Sequence, residues 1–130
     1  MQQHPEYKEI MLSSEEIYDG KIIKLTRDVI RLVNGRETVR EVVHHSGGAG
    51  IVAINEKNEI ALVRQYRYAV GKELVELPAG KIEAGEHPRD TAIRELAEEA
   101  GLVADEMQDF GRVLPTCAYC TEIIYLFFAK

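Results

Sequence analysis

Residues 80–102, GKIEAGEHPRDTAIRELAEEAGL, contain the strongest structural signal in the chain, a predicted helix. Pro88 suits the first turn of a helix, where its missing N–H would have no partner in any case. Gly101 is typical of the residue that follows a helix, because glycine adopts the left-handed conformation without strain. The sequence therefore predicts one helix from about residue 88 to about residue 100.

The predicted helix has an acidic side and an apolar side. With about 100° between successive residues, Glu95, Glu98 and Glu99 fall on one side, beside Arg94. The opposite side carries the apolar residues, which are Ile93, Leu96, Ala97 and Ala100. We expect the apolar side to pack on a sheet and the acidic side to form a site.

Three carboxylates in one place repel one another unless a cation lies among them. Oxygen ligands without nitrogen or sulfur suit a hard divalent ion, Mg²⁺ or Mn²⁺, which also binds substrate phosphates. Arg94 could hold one carboxylate in place by a two-point contact. The alternative is an ordinary solvated helix face, since runs of glutamates mostly serve solubility.

Most of the remaining chain has strand patterns. Residues 7–45 are predicted to be rich in β-structure, with a type I′ hairpin turn at Asn34-Gly35. Residues 44–50 are expected to form a glycine-rich break. Further short strands are predicted at 51–54, 60–63, 74–77, 113–114 and 123–128. Strands that surround one central helix indicate an α/β or α+β protein.

The last predicted strand is almost wholly apolar, which is typical of a buried central strand. Only Ala129 and Lys130 follow it, so no later element is present to cover it. We expect either that the chain is cut short at its C-terminus or that a partner chain covers this strand.

Composition narrows the class of protein. The 130 residues are enough for one domain, and 16 basic against 22 acidic residues give a formal net charge of −6. An acidic chain lacks the basic surface of a nucleic-acid binder. It also lacks a run of about 20 apolar residues that could span a bilayer, a signal-peptide pattern and a secreted cysteine framework. We expect a cytoplasmic protein without nucleic-acid or membrane partners.

The acidic helix lies within a longer pattern, G-x5-E-x7-R-E-U-x-E-E-x-G-U, in which U is aliphatic. All nine specified positions match, and they are Gly80, Glu86, Arg94, Glu95, Leu96, Glu98, Glu99, Gly101 and Leu102. This pattern resembles that of the Nudix hydrolases. The strings at 17–21, 34–35, 40–43, 63–67 and 76–81 are similar to those of the ADP-ribose pyrophosphatase branch.

The resemblance implies a Nudix-type α/β/α sandwich with a mixed sheet, plus an N-terminal antiparallel β meander. Residues 1–45 would form the meander and serve as the dimerisation or exchange element of a homodimer. Residues 46–130 would form the catalytic domain. Relatives continue past the position of Lys130, with a closing helix and an acidic loop that supplies the general base. Glu98 would be the substitute base in this chain.

The implied reaction is metal-dependent hydrolysis of the pyrophosphate of ADP-ribose, or of a similar nucleoside diphosphate sugar, to AMP and ribose 5-phosphate. The resemblance assigns metal binding to Glu95, Glu98, Glu99 and the carbonyl of Ala79, with Mg²⁺ or Mn²⁺ as the ion. It assigns catalytic roles to Glu98, Glu99, Arg94 and Glu86. It assigns substrate contacts to Arg40, Arg67, Gly80 and Tyr119.

Two other functions stay open. The chain could be a Nudix hydrolase of another nucleotide, oxidised or linked to a different sugar, or a weakly active or non-catalytic nucleotide-binding domain. Cys117 and Ala118 stand where many relatives have Pro and Gly in a loop that shapes the substrate pocket.

The Cys117-x-x-Cys120 pair also suggests zinc binding or redox chemistry. We expect pocket-lining or buried thiols instead, because zinc needs four ligands and redox pairs precede a helix.

Overall fold

The computed structural model describes residues 4–130, which form two compact units. The first unit contains the chain up to His45 together with Thr116–Thr121, and the second contains Ser46–Pro115 and Glu122–Lys130. Strands dominate both units, and the described residues form a single α-helix. The expected mixed α/β class is confirmed. That helix is too short and too polar to cross a lipid bilayer.

The first unit is a three-stranded antiparallel meander. Its strands are β1 (Ile10–Asp19), β2 (Lys24–Arg31) and β3 (Glu37–His44), and β2 lies in the middle. The N-terminal meander predicted from the sequence is confirmed. The segment Thr116–Thr121 joins it through Val43, whose N–H donates to the Tyr119 carbonyl at 2.7 Å and whose carbonyl accepts from the Thr121 N–H at 2.9 Å. The sequence did not predict this pairing.

The hairpin between β2 and β3 is confirmed, but its predicted turn type is wrong. The Gly35 N–H donates to the Leu32 carbonyl at 2.9 Å, so the turn starts one residue earlier than a type I′ turn at Asn34-Gly35 would. A type I′ turn needs a positive φ at both central residues. Gly35 has a φ of 82°, whereas Asn58 is the only non-glycine with a positive φ in residues 4–130. The loop is therefore a three-residue hairpin loop with glycine in the left-handed position.

The second unit contains a mixed sheet, a separate hairpin and the helix. Its elements in chain order are β4 (Gly48–Ala53), β5 (Val63–Arg67), β6 (Lys72–Glu76), β7 (Ala79–Lys81), α1 (Pro88–Ala100), β8 (Met107–Val113) and β9 (Ile124–Ala129). The sheet has the order β7-β4-β9-β8, in which only β4 and β9 run parallel, and β5 pairs with β6. Short 3-10 helices occur at Pro5–Tyr7 and Tyr68–Val70.

Helix α1 begins and ends where the sequence predicted. His87 caps its N-terminus, because its Nδ1 accepts from the Arg89 N–H at 3.3 Å, and Pro88 occupies the first turn. Gly101 has a φ of 66° and donates its N–H to the Ala97 carbonyl at 3.0 Å. This left-handed glycine satisfies a carbonyl that the helix would otherwise leave without a partner.

The buried side of α1 differs from the predicted apolar side. Ala92 and Leu96 are buried with Thr91, whereas Ile93 is 49% exposed and Ala97 is also exposed. The core that α1 covers consists of Ala49, Ile51, Ala53, Ala92, Leu96, Met107, Phe127 and Ala129. At about 100° per residue, the arc from Thr91 to Leu96 includes the directions of Glu95 and Glu99. The helix therefore turns part of its acidic side toward the sheet.

Several of the predicted strand limits differ from those in the structure. Strand β4 begins at Gly48, inside the expected glycine-rich break. The glycines are compatible with a strand here because this part of the sheet leaves little room for a side chain. A Cβ at Gly48 would lie 3.0 Å from the Gly80 carbonyl oxygen, closer than nearly all real Cβ contacts. Of the strand predicted at 60–63, only Val63 lies in a strand, as the first residue of β5, and Ile60 makes an isolated bridge to Ile54. Of the strand predicted at 113–114, Val113 is the last residue of the longer β8, and Leu114 lies outside it.

Strand β9 is central, as predicted, because it lies between β4 and β8. The expectation that β9 is buried on both faces is wrong. Phe127 and Ala129 are buried under α1, whereas Ile124, Leu126 and Phe128 on the alternate face are only half-buried. Side chains of a strand alternate between its two faces, so a helix on one face of the sheet covers only every second residue.

Candidate active site

Strand β7 and helix α1 approach each other so closely that only glycine fits at one position. A Cβ at Gly80 would lie 2.0 Å from both the Cδ and the Oε1 of Glu95. The sequence assigned Gly80 to a close approach of the backbone to a ligand. The structure shows that the missing side chain makes room for the carboxylate of Glu95, which is 12% exposed.

The second glutamate of the acidic side bonds to the backbone of β7. Glu99 Oε2 accepts from the Ala79 N–H at 3.0 Å. The Ile51 N–H donates to the Pro78 carbonyl at 2.9 Å, so the next pair of this antiparallel ladder, Gly50 and Ala79, is not hydrogen-bonded. The N–H and the carbonyl of Ala79 therefore both point away from β4. The Ala79 carbonyl lies on the same edge of the sheet as the Glu99 carboxylate.

Arg94 joins three carboxylates. Its Nε and Nη2 donate to the two oxygens of Glu86 at 2.9 and 3.0 Å. Its Nη1 donates to Glu95 Oε1 at 2.6 Å and to Glu98 Oε2 at 3.1 Å. The hydrogen bonds to Glu86 contribute most to raising the pKa of the guanidinium. Arg94 thus keeps its charge and holds the acidic side chains at fixed distances from one another.

Glu86 anchors the loop before α1 to the helix. Besides Arg94, it accepts from the Thr91 hydroxyl at 2.7 Å and from the Glu83 N–H at 3.2 Å. These donors, Arg94 first, lower the pKa of Glu86 from 4.5 to about 2. The sequence assigned Glu86 to catalysis, and the structure shows what its carboxylate contacts: the side chain that positions Glu95 and Glu98. Through Arg94, Glu86 is linked to both Glu95 and Glu98.

The three glutamates differ in environment. Glu98 is 60% exposed, whereas Glu95 and Glu99 are partly buried against β7. The solvated-face alternative therefore describes Glu98 better than the other two. In residues 4–130, no group of three His, Cys, Asp or Glu side chains is arranged to hold a metal ion. Glu95 and Glu98 face Arg94, and Glu99 faces Ala79, so the carboxylates are brought near β7 and Arg94 without converging on a point.

The donor set nevertheless fits a hard divalent cation chemically. It consists of carboxylate oxygens and a backbone carbonyl, without nitrogen or sulfur ligands. Glu95, Glu98 and Glu99 belong to one helix, and the Ala79 carbonyl lies on the adjacent strand edge. A shared cation would require these side chains to exchange their hydrogen bonds with Arg94 and the Ala79 N–H for bonds to the ion.

Arg67 adds a cation to the second unit. Its Nε donates to both oxygens of Glu76 at 3.0 Å. The pKa of Arg67 is raised, chiefly by these hydrogen bonds and also by the charge of Glu99. Arg67 therefore lies within electrostatic reach of Glu99 on the acidic side of α1.

The remaining predicted substrate contacts belong to the first unit. Arg40 donates to both oxygens of Glu9, at 2.6 and 3.1 Å. Tyr119 is exposed, and its carbonyl accepts from the Val43 N–H.

Sequence reasoning missed Thr91 and Glu76. The sequence offered one signal for Thr91: a hydroxyl residue in the first turn of the predicted helix, five residues after Glu86, whose carboxylate it contacts. Glu76 opens the string 76–81, but that string does not reveal which cation Glu76 would pair with.

We predict that Glu86 makes the stability of the protein depend on pH in the acidic range. As the pH decreases from 4.5 to about 2, Glu86 takes up a proton in the unfolded chain before it does so in the folded chain. The free energy of unfolding therefore decreases as the pH decreases through this range. Glu86→Gln removes this contribution. In urea unfolding followed across this range, the midpoint of the variant should change less than that of the wild type.

The matched control is Glu83→Gln, which changes an exposed carboxylate of the same loop. Its midpoint should follow the wild-type pH profile. Parallel profiles for wild type and Glu86→Gln would contradict the role of Glu86 as a paired carboxylate.

Comparison with known proteins places these features in a family. Residues 44–130 match the NUDIX domain, and residues 9–43 match the nucleoside diphosphate sugar hydrolase N-terminal domain. The chain is 40% identical over 124 residues to a methanol dehydrogenase activator of Bacillus methanolicus, covering 95% of this chain and 67% of that protein. It is 35% identical over 123 residues to an ADP-ribose pyrophosphatase of Bacillus subtilis, covering 95% and 66% respectively.

Two further similarities agree with the first ones. An ADP-ribose pyrophosphatase of Mycobacterium tuberculosis is 47% identical over 98 residues, which are 75% of this chain and 47% of that protein. A crystal structure of an ADP compounds hydrolase superposes with a TM-score of 0.82 at 21% identity, covering 94% of this chain and 66% of the other, and so shares the fold. The chain spans about two thirds of the length of its two Bacillus relatives. The NUDIX domain match covers residues 44–130, which include the acidic helix and Arg94. The chain therefore belongs to the Nudix hydrolase family.

Proposed function

We propose that this protein hydrolyses the pyrophosphate bond of a nucleoside diphosphate sugar, with ADP-ribose as the preferred substrate and AMP and ribose 5-phosphate as products. One observation carries the proposal: Glu95 and Glu99 are partly buried against Gly80 and Ala79 instead of being solvated. Relatives named ADP-ribose pyrophosphatase, 35% and 47% identical, support this choice of substrate.

Nudix hydrolases generally use a divalent metal, and we propose Mg²⁺ or Mn²⁺ for this chain. The residues that would hold it are Glu95, Glu98, Glu99 and the carbonyl of Ala79. A bound divalent ion neutralises the charge that develops on a diphosphate and lowers the pKa of the attacking water. The net charge of −6 makes such compensation necessary, because the protein as a whole repels an anionic substrate.

The chain's own side chains then have distinct tasks. Glu98, the most exposed of the three glutamates, accepts a proton from the water that attacks one phosphorus. A bond forms between the water oxygen and this phosphorus, and the bond from the phosphorus to the bridging oxygen breaks, so the leaving phosphate carries the electron pair. Arg94 holds Glu95 and Glu98 in register, and Arg67 contributes positive charge for the diphosphate.

We also propose substrate contacts for two residues of the first unit, Arg40 and Tyr119. The guanidinium of Arg40 offers paired donors for a phosphate or a ribose, in competition with its present partner Glu9. Tyr119 offers an exposed ring for stacking. Cys117 and Ala118, which replace the Pro and Gly of many relatives, lie in the same segment as Tyr119, so we propose that this segment influences the choice of substrate.

A substrate panel separates the proposed function from its alternatives. ADP-ribose, other nucleoside diphosphate sugars and oxidised nucleoside triphosphates would be supplied with Mg²⁺, and products separated by chromatography. AMP and ribose 5-phosphate from ADP-ribose, at the highest kcat/KM of the panel, support the proposal. Binding without turnover of any member would favour a non-catalytic nucleotide-binding domain.

We predict that Glu99→Gln lowers kcat for ADP-ribose hydrolysis by orders of magnitude while the protein stays folded. The amide keeps the shape of the side chain but loses the charge that a divalent ion needs. Asp90→Asn is the matched control, because it removes one negative charge from an exposed position of the same helix.

Steady-state kinetics with Mg²⁺, together with circular dichroism and urea unfolding, measure both effects. Asp90→Asn should retain wild-type kcat. Unchanged turnover in Glu99→Gln would remove Glu99 from the proposed mechanism.

We also propose that residues 1–45 are a dimerisation element, that residues 46–130 are the catalytic domain, and that the protein works in the cytoplasm as a homodimer. Strand β1 is an edge strand of the meander and is exposed along its whole length. Its exposed large apolar side chains are Ile10, Met11, Leu12, Ile17 and Tyr18. A long edge strand with apolar side chains is a surface suited to pairing with another chain.

Light scattering on the purified protein at micromolar concentration should give the mass of a dimer. Ile17→Lys should shift the protein toward the monomer, because it places a charge on the apolar edge strand. Val33→Lys is the control, since Val33 is similarly exposed but lies in the hairpin loop. A wild-type monomer at these concentrations would contradict the proposal.

A further inference from the structure

The two cysteines lie in one hydrogen-bonded turn before β9. The N–H groups of Tyr119 and Cys120 both donate to the Thr116 carbonyl, at 3.2 and 2.9 Å. The bond from Tyr119 spans three residues, as in a 3-10 helix, and the bond from Cys120 spans four, as in an α-helix. Cys117 and Cys120 are three residues apart in this turn, a spacing that places side chains on the same side of a helical turn.

This spacing is close to that of a disulfide. In helical backbone, Cβ atoms three residues apart lie about 5–6 Å from each other. A disulfide needs Cβ atoms about 3.5–4.5 Å apart. Closing the bond from this spacing needs the Cβ atoms to approach by about 0.5–2.5 Å, in a segment with exposed residues on both sides of Ala118.

The two thiols differ in access. Cys117 is exposed and Cys120 is half-buried, and neither is in a disulfide. The expectation was pocket-lining or buried thiols, and the exposure of Cys117 contradicts only the buried alternative, and only for this residue. They are the only cysteines of the chain, so no other intrachain disulfide competes.

The backbone at Cys120 is also more firmly held. Cys120 forms a bridge with Val43 of β3, and the residues on either side of it, Tyr119 and Thr121, both bond to the Val43 backbone. Cys117 lies at the exposed end of the turn. A reagent from solvent therefore reaches Cys117 first, and Cys120 is positioned to react with what forms there.

We propose that Cys117 and Cys120 form a reversible dithiol–disulfide pair that low-molecular-weight disulfides oxidise. The Cys117 thiolate attacks one sulfur of the small disulfide, which gives a mixed disulfide and releases one small thiol. The Cys120 thiolate then attacks the Cys117 sulfur, which forms the Cys117–Cys120 bond and releases the second small thiol. The protein loses two electrons and two thiol protons, and the small disulfide gains both.

The bond would restrain the backbone beside β3. Ring closure between Cys117 and Cys120 limits the freedom of the turn whose last residues pair with Val43. Amide exchange at Tyr119 and Cys120 should slow on oxidation and return to its original rate on reduction.

The test uses the full chain with oxidised glutathione as the small disulfide. Mass spectrometry after peptide digestion should show loss of two hydrogens from the peptide that contains both cysteines, and a maleimide should no longer label either thiol. The rate should not depend on protein concentration, and dithiothreitol should restore both thiols. A stable glutathione adduct on the wild type, or covalent dimers, would overturn the proposal.

Two variants separate the roles of the thiols. Cys120→Ser should stop at the mixed disulfide on Cys117, because the second thiol is absent. Cys117→Ser should react with oxidised glutathione more slowly than Cys120→Ser, because its remaining thiol is half-buried. Equal rates in the two variants would contradict the assignment of Cys117 as the attacking thiol.

Discussion

The guanidinium of Arg94 balances the repulsion among the glutamates of α1. Glu95 and Glu98 are one and four residues away from it on the helix, and both accept from the same nitrogen of Arg94. Glu86 fixes the other edge of the guanidinium by two hydrogen bonds, so the arginine cannot follow either glutamate into solvent. An arginine suits this position better than a lysine, because its planar fork bonds several carboxylate oxygens at defined angles.

The close approach of α1 to β7 orients the carboxylates of Glu95 and Glu99 toward the strand. Because Gly80 has no side chain, the carboxylate of Glu95 lies against the backbone of the strand, and Glu99 reaches the N–H of Ala79. The same contact leaves the Ala79 carbonyl on the sheet edge that faces these acids. The candidate site therefore lies where α1 approaches the edge strand β7, so that the carboxylates of Glu95 and Glu99 lie near the backbone of this strand.

The sequence predicted the elements better than the contacts between them. Capping chemistry at Pro88 and Gly101 located α1 correctly, because these signals are local. The buried side of α1 was predicted incorrectly, and Ile93 is 49% exposed. The positions of apolar residues around a helix do not show how closely an edge strand approaches it. The sequence assigned Gly80 a contact with a ligand, whereas the structure shows that its missing side chain makes room for the carboxylate of Glu95. The docking of residues 116–121 beside Val43 is a long-range pairing that no local pattern specifies.

The central claim is that Glu95 and Glu99, held between Arg94 and β7, exchange these bonds for a divalent ion that also binds a diphosphate. A crystal structure with Mn²⁺ and a non-hydrolysable ADP-ribose analogue tests it most directly, because anomalous scattering identifies the ion. We expect manganese bound by the carboxylates of Glu95 and Glu99 and by a phosphate oxygen of the analogue. Manganese and analogue bound elsewhere, with Glu95 still on Arg94 and Glu99 still on Ala79, would contradict the claim.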